Sequence, residues 1–210
     1  MDYIIKKLTP DLQRDYFDFF DNRAFFDDSP NYPCYCNAYN MSKRQIYIEL
    51  YQQVQTYGGG DDEWKRALRE SAVRMVRSGK IQGYLVFDNE VAIGWCNTND
   101  RINYYRVGEF DLSHVPADKI YDNCYKKGKI KSIVCFEISP EYRGKGIATQ
   151  LLDRVCKDAK LDGYECVEVY PMVNEKNSLA YTGPISLYEK AGFYHYKQRG
   201  NTLVMRKALI

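Results

Sequence analysis

The sequence predicts an α+β or α/β fold laid over a mixed sheet, and three observations carry that prediction. From Lys129 onward the elements follow the order strand, glycine-turn helix, strand, helix, strand, strand. Two segments, from Asp61 to about Lys80 and over residues 146–161, carry apolar residues at helical spacing and polar residues between them. The composition, 45% hydrophobic and 28% charged over 210 residues, suits one globular domain with a sizeable core.

Taken in order, residues 3–8 read as a first strand. Thr9-Pro10 then opens a helix, with the hydroxyl as N-cap and proline at the first position, and Leu12, Tyr16, Phe17 and Phe20 follow at helical spacing. From Asp21 to about Ser42 the pattern breaks into an aromatic stretch containing Pro33-Cys-Tyr-Cys-Asn37; its length suggests function and its aromatic content argues against disorder, so it reads as a cover over a pocket. Residues 43–56 suggest a short helix that Gly58-Gly-Gly60 interrupts. The helix from Asp61 aligns Trp64, Leu68, Ala72, Met75 and Val76, with acids at its start and Arg77 to Lys80 at its end, as the helix dipole favours. Gly83 to Phe87 and Val91 to Cys96 read as strands joined at Asp88-Asn-Glu90, while residues 99–128 are polar and give no clear pattern. Ile130 to Ser139 is a strand; Ile147, Leu151, Leu152, Val155 and Ala159 make one helical stripe closed by Gly163; Glu165 to Tyr170 is a strand. Gly183-Pro184 opens a short helix that Gly192 ends, and Phe193 to Tyr196 with Thr202 to Met205 form a closing hairpin.

Charge and apolar runs set bounds on function. Thirty Lys and Arg against 28 Asp and Glu leave a net charge of +2, which argues against an extensive nucleic-acid-binding face. The longest apolar runs, such as Ile133 to Phe136, are four or five residues, so no segment can span a bilayer, and the start Met1-Asp-Tyr-Ile-Ile-Lys-Lys is not a signal peptide. No nucleic acid, no membrane and a cytoplasmic location are the expectations. The seven cysteines are odd in number and irregularly spaced, which points to reduced thiols, with Cys135, Cys156 and Cys166 as small buried hydrophobes. Cys34 and Cys36 could in principle pair on a metal, but no second CxC or His pair exists, and His114 and His195 stand alone; no metal is expected.

The segment that carries chemistry is Glu137-Ile-Ser-Pro-Glu-Tyr-Arg-Gly-Lys-Gly-Ile-Ala-Thr-Gln-Leu-Leu152. A strand enters a turn holding Gly144 and Gly146, and a helix begins at once. Glycines let the backbone approach a ligand closely, and a helix start offers free N–H groups and partial positive charge to an anion. Arg143 and Lys145 add cationic side chains suited to phosphate. The spacing is neither that of a Walker A loop nor G-x-G-x-x-G.

Arg143-x-x-Gly146-x-Ala148 resembles the pyrophosphate loop of the GNAT superfamily of N-acetyltransferases, written Q/R-x-x-G-x-G/A, and Leu187-Tyr-Glu-Lys-Ala-Gly-Phe193 resembles the family's late helix and following strand. The resemblance covers roughly Gly83 to Lys207. It implies an α+β fold in α/β/α layers: a mixed, largely antiparallel sheet with a central parallel pair, 130–139 and 165–170, splayed around acetyl-CoA. Residues 1–210 would be a single domain, with about 83–207 as its core and about 21–60 as an elaboration covering the acceptor pocket. The backbone at Phe136, Glu137 and Ile138 would pair with the pantetheine amides. The amides of Gly144, Lys145, Gly146, Ile147, Ala148 and Thr149, with Arg143, would hold the pyrophosphate. Acetyl would pass directly to a primary amine of a small molecule or peptide.

The resemblance casts Tyr188 as the acid that protonates the leaving thiolate, against a simple packing role, and Glu168 as a base on the same strand as in some members. Glu137 is a weaker candidate base: strand alternation puts it with Ile133 and Cys135, opposite Val134, Phe136 and Ile138, and the family's bases on this strand fall at Ser132 and Val134. The family's cofactor-contacting asparagine is replaced by Tyr181, with Asn174 or Asn177 as substitutes or plain loop residues. Cys34, Tyr35, Cys36, Trp95 and Asn97 are candidates for the acceptor pocket, although Trp95 suits the core better. A non-catalytic acyl-CoA-binding module is the alternative. Family members often dimerise, so a homodimer is open, but no pattern here points to one.

Overall fold

The structure is a computed structural model that describes residues 3–27, 33–107, 110–111, 129–173 and 181–209. Seven strands form the main sheet: β1 (Ile4–Lys7), β2 (Gly83–Asp88), β3 (Val91–Asp100), β4 (Ile130–Ile138), β5 (Cys166–Val169), β6 (Tyr194–Arg199) and β7 (Thr202–Ala208). Their order is β1-β2-β3-β4-β5-β7-β6, and of these pairings only β4 with β5 is parallel. Parallel neighbours need a crossover, and helix α4 (Ile147–Leu161) supplies it.

Two apolar clusters, one on each face, hold the layers together. On one face, helix α1 (Gln13–Asn22) buries Tyr16, Phe17, Phe19 and Phe20, and helix α3 (Asp61–Arg77) buries Leu68, Ala72, Met75 and Val76, against Leu85, Phe87, Trp95, Val134 and Cys135. On the other, α4 and helix α5 (Ile185–Lys190) pack Leu151, Leu152, Val155 and Tyr188 against Ile93, Ile133, Phe136, Val167 and Val169. β4 is covered on both faces and is buried from Ile130 through Glu137, its polar residues Lys131, Ser132 and Glu137 included.

Most segments fold as their sequence predicts. Thr9 differs: it has extended backbone at the first turn but makes no side-chain cap bond, and a short 3-10 turn (Pro10–Leu12) precedes α1. Residues 43–57 are helical throughout and form α2, with Ser42 and Gln45 closing a capping box at its start. It stops at Gly58, which has φ of 113°, a conformation that favours glycine. Gly163, with φ of 75°, ends α4 as expected. Residues 33–42 are folded in, with Tyr35, Cys36, Asn37, Asn40 and Met41 buried. Cys166, the first residue of β5, is only half-buried, unlike Cys135 and Cys156.

Alternation fails at one place in β4. Cys135 stands opposite Asn97 but Ile133 opposite Thr98, so Val134 is an extra residue, a bulge. The bulge puts Val134 and Cys135 together in the α1–α3 cluster, while Ile133 joins Phe136 in the other. Glu137 therefore shares a face with Cys135 and not with Ile133, which corrects the sequence expectation.

β2 and β3 come closest at Gly83. A Cβ there would lie 2.0 Å from the Cys96 carbonyl oxygen and 2.5 Å from the Trp95 ring, whereas at Gly94 the nearest atom would be at an ordinary 3.5 Å. Gly83→Ala should therefore cost about 1–3 kcal/mol of overpacking, and Gly94→Ala should be neutral or stabilising by up to about 1 kcal/mol. Urea unfolding midpoints of the two variants measure the contrast.

Candidate functional site

β4 and β5 pair only from Ile130 with Cys166 to Ile133 with Val169. Beyond that point β4 continues to Ile138 and β5 stops, so among the described residues no strand pairs with β4 from Val134 onward on that side. Its exposed donor is engaged from within the chain: the Phe136 N–H donates to the Tyr181 carbonyl at 2.6 Å. This backbone group was expected to meet a ligand, and the structure places residue 181 there instead.

At the end of β4 a 3-10 turn, Pro140–Tyr142, is pinned by the Tyr142 hydroxyl donating to Asp88 at 2.9 Å. Gly144 and Gly146 follow with φ of 74° and 78°, and a Cβ at either would meet nothing within 4 Å. Their requirement is therefore conformational, not steric. Gly146 begins α4, whose start no side chain caps. Ile147 is buried and anchors the helix, while Lys145 lies over the Tyr142 ring at 4.7 Å and Thr149 is exposed. This is a cradle of open amides at a positive helix end, suited to a diphosphate.

Arg143 departs from its expected part. Its Nε donates to the Ile138 carbonyl at 2.9 Å, its Nη1 reaches Asp27 at 2.5 Å and its Nη2 reaches Glu137 at 3.4 Å. The guanidinium that phosphate was expected to attract is turned onto two carboxylates.

Tyr188 is fully buried on α5, edge-on to Phe193 at 5.5 Å, and its hydroxyl donates to the Thr182 carbonyl. Gly183 has φ of 77°, and a Cβ there would come within 2.8 Å of the Tyr188 oxygen. Only glycine combines that conformation with that approach. Burial holds the phenol well above its ordinary pKa, so it is a neutral hydrogen-bond donor. The adjacent carbonyls of Tyr181 and Thr182 thus cap the Phe136 amide and the Tyr188 phenol.

The two glutamates differ sharply. Glu168 is buried with both oxygens engaged: Arg206 donates to Oε2 at 2.7 Å, the Tyr170 hydroxyl donates to Oε1 at 2.5 Å, and Arg101 Nε stands 3.5 Å from Oε1. Tyr170 in turn meets the Ser132 hydroxyl at 2.7 Å. This ionic network engages both carboxylate oxygens of Glu168. Arg101 and Arg206 carried no sequence signal, since each lies far from Glu168 in the chain. Glu137 is only 7% exposed, beside Phe136 on the open strand, and desolvation raises its pKa to about 7 although Arg143 acts to lower it. A buried carboxyl that titrates near neutrality beside an open strand edge is equipped for general base work.

The cysteines of the 33–37 segment meet the same face. The Cys36 N–H donates to Cys34 Sγ at 3.3 Å, and the Cys36 and Cys135 thiols are hydrogen-bonded. A thiol–thiol hydrogen bond with Cys36, then burial, raises the Cys34 pKa well above the usual range although the Cys36 N–H acts to lower it; the Cys135 thiol and burial raise that of Cys36 although Cys34 acts to lower it, so both are neutral thiols. Asn97 and Tyr35 serve the fold: Asn97 donates to the Cys36 carbonyl at 2.9 Å and accepts from Tyr104 at 2.8 Å, and the Tyr35 hydroxyl donates to Asp21 at 2.5 Å. Trp95 is fully buried in the core. Asn174 and Asn177 lie outside the described residues. Among the described residues no group of three or more His, Cys, Asp or Glu could hold a metal ion, and no helix is long and apolar enough to cross a membrane.

Two expectations follow from the carboxylates. Glu168→Ala leaves two buried or half-buried guanidinium groups without their anion and should cost about 3–5 kcal/mol, read from urea midpoints; an unchanged midpoint would show that the carboxylate does not hold the arginines. Glu137 is favoured in its neutral form by folding, with a pKa of about 7 against 4.5 unperturbed. Its contribution to stability is full below pH 4.5 and is lost as pH rises through about 7. Glu137→Gln, which cannot ionise, should flatten the decline in unfolding free energy across that interval.

Comparison with known proteins agrees with this architecture. No curated protein sequence matches the chain. The chain is similar in fold to the PaiA N-acetyltransferase from Thermoplasma acidophilum in complex with coenzyme A, at 18% identity and a TM-score of 0.51, covering 99% of each chain. It is likewise similar to Arabidopsis thaliana NAA60 in complex with acetyl-CoA, at 13% identity and a TM-score of 0.52, again covering 99% of each. A chain of the NatC complex bound to Gag peptide and CoA gives 13% identity, a TM-score of 0.52 and full coverage of both chains, at 100%. At these identities the likeness is one of fold. The family model described as Acetyltransferase (GNAT) family matches residues 44–193, beginning further upstream than Gly83, where the sequence resemblance becomes readable. With most of its length matched, the chain belongs to the acetyltransferase (GNAT) family.

Proposed function

We propose that the protein is an N-acetyltransferase that moves acetyl from acetyl-CoA directly to a primary amine of a small molecule or a peptide. The observation that carries this reading is the β4 edge beyond its pairing with β5, held at Phe136 only by the Tyr181 carbonyl, which leads through the Pro140–Tyr142 turn into the glycine cradle at the start of α4. An extended pantetheine arm can lie along such an edge as an added strand while the cradle amides of 144–149 take the diphosphate. The solved relatives in complex with coenzyme A or acetyl-CoA support the same choice of donor.

The chain's own groups then divide the work. The Phe136 N–H, once released from Tyr181, donates to the thioester oxygen as negative charge develops there. Glu137 lies on the α1–α3 side of the open edge and Tyr188 on the α4–α5 side. That arrangement lets a base take the proton of the incoming ammonium on one side while an acid protonates the departing thiolate on the other. Glu137, with a pKa of about 7, suits the base role better than Glu168, which is locked by two arginines. Tyr188 keeps its proton because it is buried, and the same desolvation makes a thiolate departing beside it more basic, so that the proton can pass from the phenol to the sulfur. Holding amine and thioester together supplies much of the remaining acceleration.

Thermal unfolding with acetyl-CoA at about 100 times its dissociation constant should add roughly 2.7 kcal/mol and raise Tm by about 5–10 °C. Tyr188→Phe should keep that rise and lower kcat by about a hundredfold or more in thiol release with an amine panel. A folded protein with no rise in Tm would defeat the enzyme reading.

A further inference from the structure

Arg143 occupies the first position of the phosphate loop, yet its side chain points away from the cradle. Three contacts fix it: Nε on the Ile138 carbonyl at 2.9 Å, Nη1 on Asp27 at 2.5 Å and Nη2 on Glu137 at 3.4 Å. The guanidinium is tied to the strand that carries Glu137 and to the segment after α1, so its charge is held between two carboxyl groups, Glu137 and Asp27. We infer that Arg143 is a positioning residue that acts through Glu137, holding its carboxyl beside the β4 edge through the Nη2 contact, with Asp27 as the second carboxylate that shares the guanidinium. The inference rests on the acetyl-transfer reading and deepens it, because it assigns the loop's cation to the base and leaves phosphate to the backbone amides.

The balance of charge around Glu137 supports this. The groups that face it are Arg143 from the loop, Asp27 after α1, Cys34 and Cys36 from the 33–37 segment, and Cys135 from its own strand. Both thiols of the 33–37 segment are neutral, so Arg143 and Asp27 are the charges that matter. Desolvation drives the carboxyl toward its neutral form, Arg143 opposes it, and Asp27 works with desolvation. Without Arg143, desolvation and Asp27 would act on the carboxyl unopposed and push its pKa further up. Arg143 itself is 44% exposed at its side chain, and glutamine is the other residue that the loop pattern Q/R-x-x-G-x-G/A accepts, so Arg143→Gln leaves the turn intact.

Carbon-13 NMR titration of the Glu137 carboxyl, assigned by its loss in Glu137→Gln, tests the inference on the folded, ligand-free protein. Arg143→Gln should raise the Glu137 midpoint by about one pH unit, Asp27→Asn should lower it, and Arg143→Lys, which keeps the charge without the fork, should fall between wild type and Arg143→Gln. A second readout separates this role from phosphate binding: Arg143→Gln should change coenzyme A affinity by less than about threefold in calorimetry. An unmoved midpoint, shifts of the same sign in Arg143→Gln and Asp27→Asn, or a loss of affinity of about tenfold or more each overturns the inference. Failure of the acetyl-transfer reading looks different: wild type binds no coenzyme A at all, whatever the titrations show, and Glu137 then has no reaction to serve.

Discussion

The site depends on a single constraint, the unequal length of two parallel neighbours. β4 runs to Ile138, while β5 ends at Val169, four paired positions after it begins. Backbone amides cannot be left unpaired and buried without a cost of about 1–3 kcal/mol each, so an interrupted ladder must be completed by something else. In the ligand-free chain the completion is internal, through the Tyr181 carbonyl on the Phe136 amide. The bulge at Val134 belongs to the same device. By adding one residue where the strands part, it resets which side chains of β4 face which helices. Glu137 thereby meets the α1–α3 side with Cys135, while Phe136 stays with the α4–α5 cluster that holds Tyr188.

Two buried carboxylates on neighbouring strands show how partners decide the role of an acid. Glu168 has two guanidinium groups and a phenol on two oxygens, and its charge is fully answered. Removing such an ion from water is repaid only by partners of that quality, and the result is a rigid tie between β5, β7 and the turn after β3. Glu137 has one partly exposed arginine shared with Asp27, too little to offset its desolvation, and so it titrates near neutrality. The first arrangement fastens strands together, and the second leaves a carboxyl able to exchange a proton.

How far the sequence disclosed this follows from the range of the interactions concerned. The loop from Glu137 to Thr149 and the pair Leu187-Tyr188 were readable because their conformations are set locally, by glycines at positive φ and by the apolar stripe of α4. The helix over 43–57 was underread because its amphipathic pattern is weak, and what secures it is a capping box and the glycine stop at 58. The face of Glu137 was misread because strict alternation holds only in an unbroken ladder, and a bulge leaves no mark in composition. Arg101, Arg206 and Asp27 were invisible for a different reason. Their partners lie across the fold, with 67 residues separating Arg101 from Glu168 and 116 separating Asp27 from Arg143. A one-dimensional pattern has no term for such pairs.

The segment at 181–183 links these features to the chemistry. Its two carbonyls sit on the amide and the phenol to which the proposed reaction assigns roles, and Gly183 permits the fit because any Cβ would strike the Tyr188 oxygen. A thioester entering this place takes over hydrogen bonds that already exist. Exchanging one carbonyl acceptor for another is worth little net free energy, since each bond contributes about 1 kcal/mol and one is lost for each gained. Affinity for the donor must then come from the diphosphate cradle and the pantetheine edge, away from the reacting carbon. That division suits the proposed reaction: an amide already held by a surrogate carbonyl adds little to ground-state binding, and its bond strengthens only when negative charge grows on the thioester oxygen it would face.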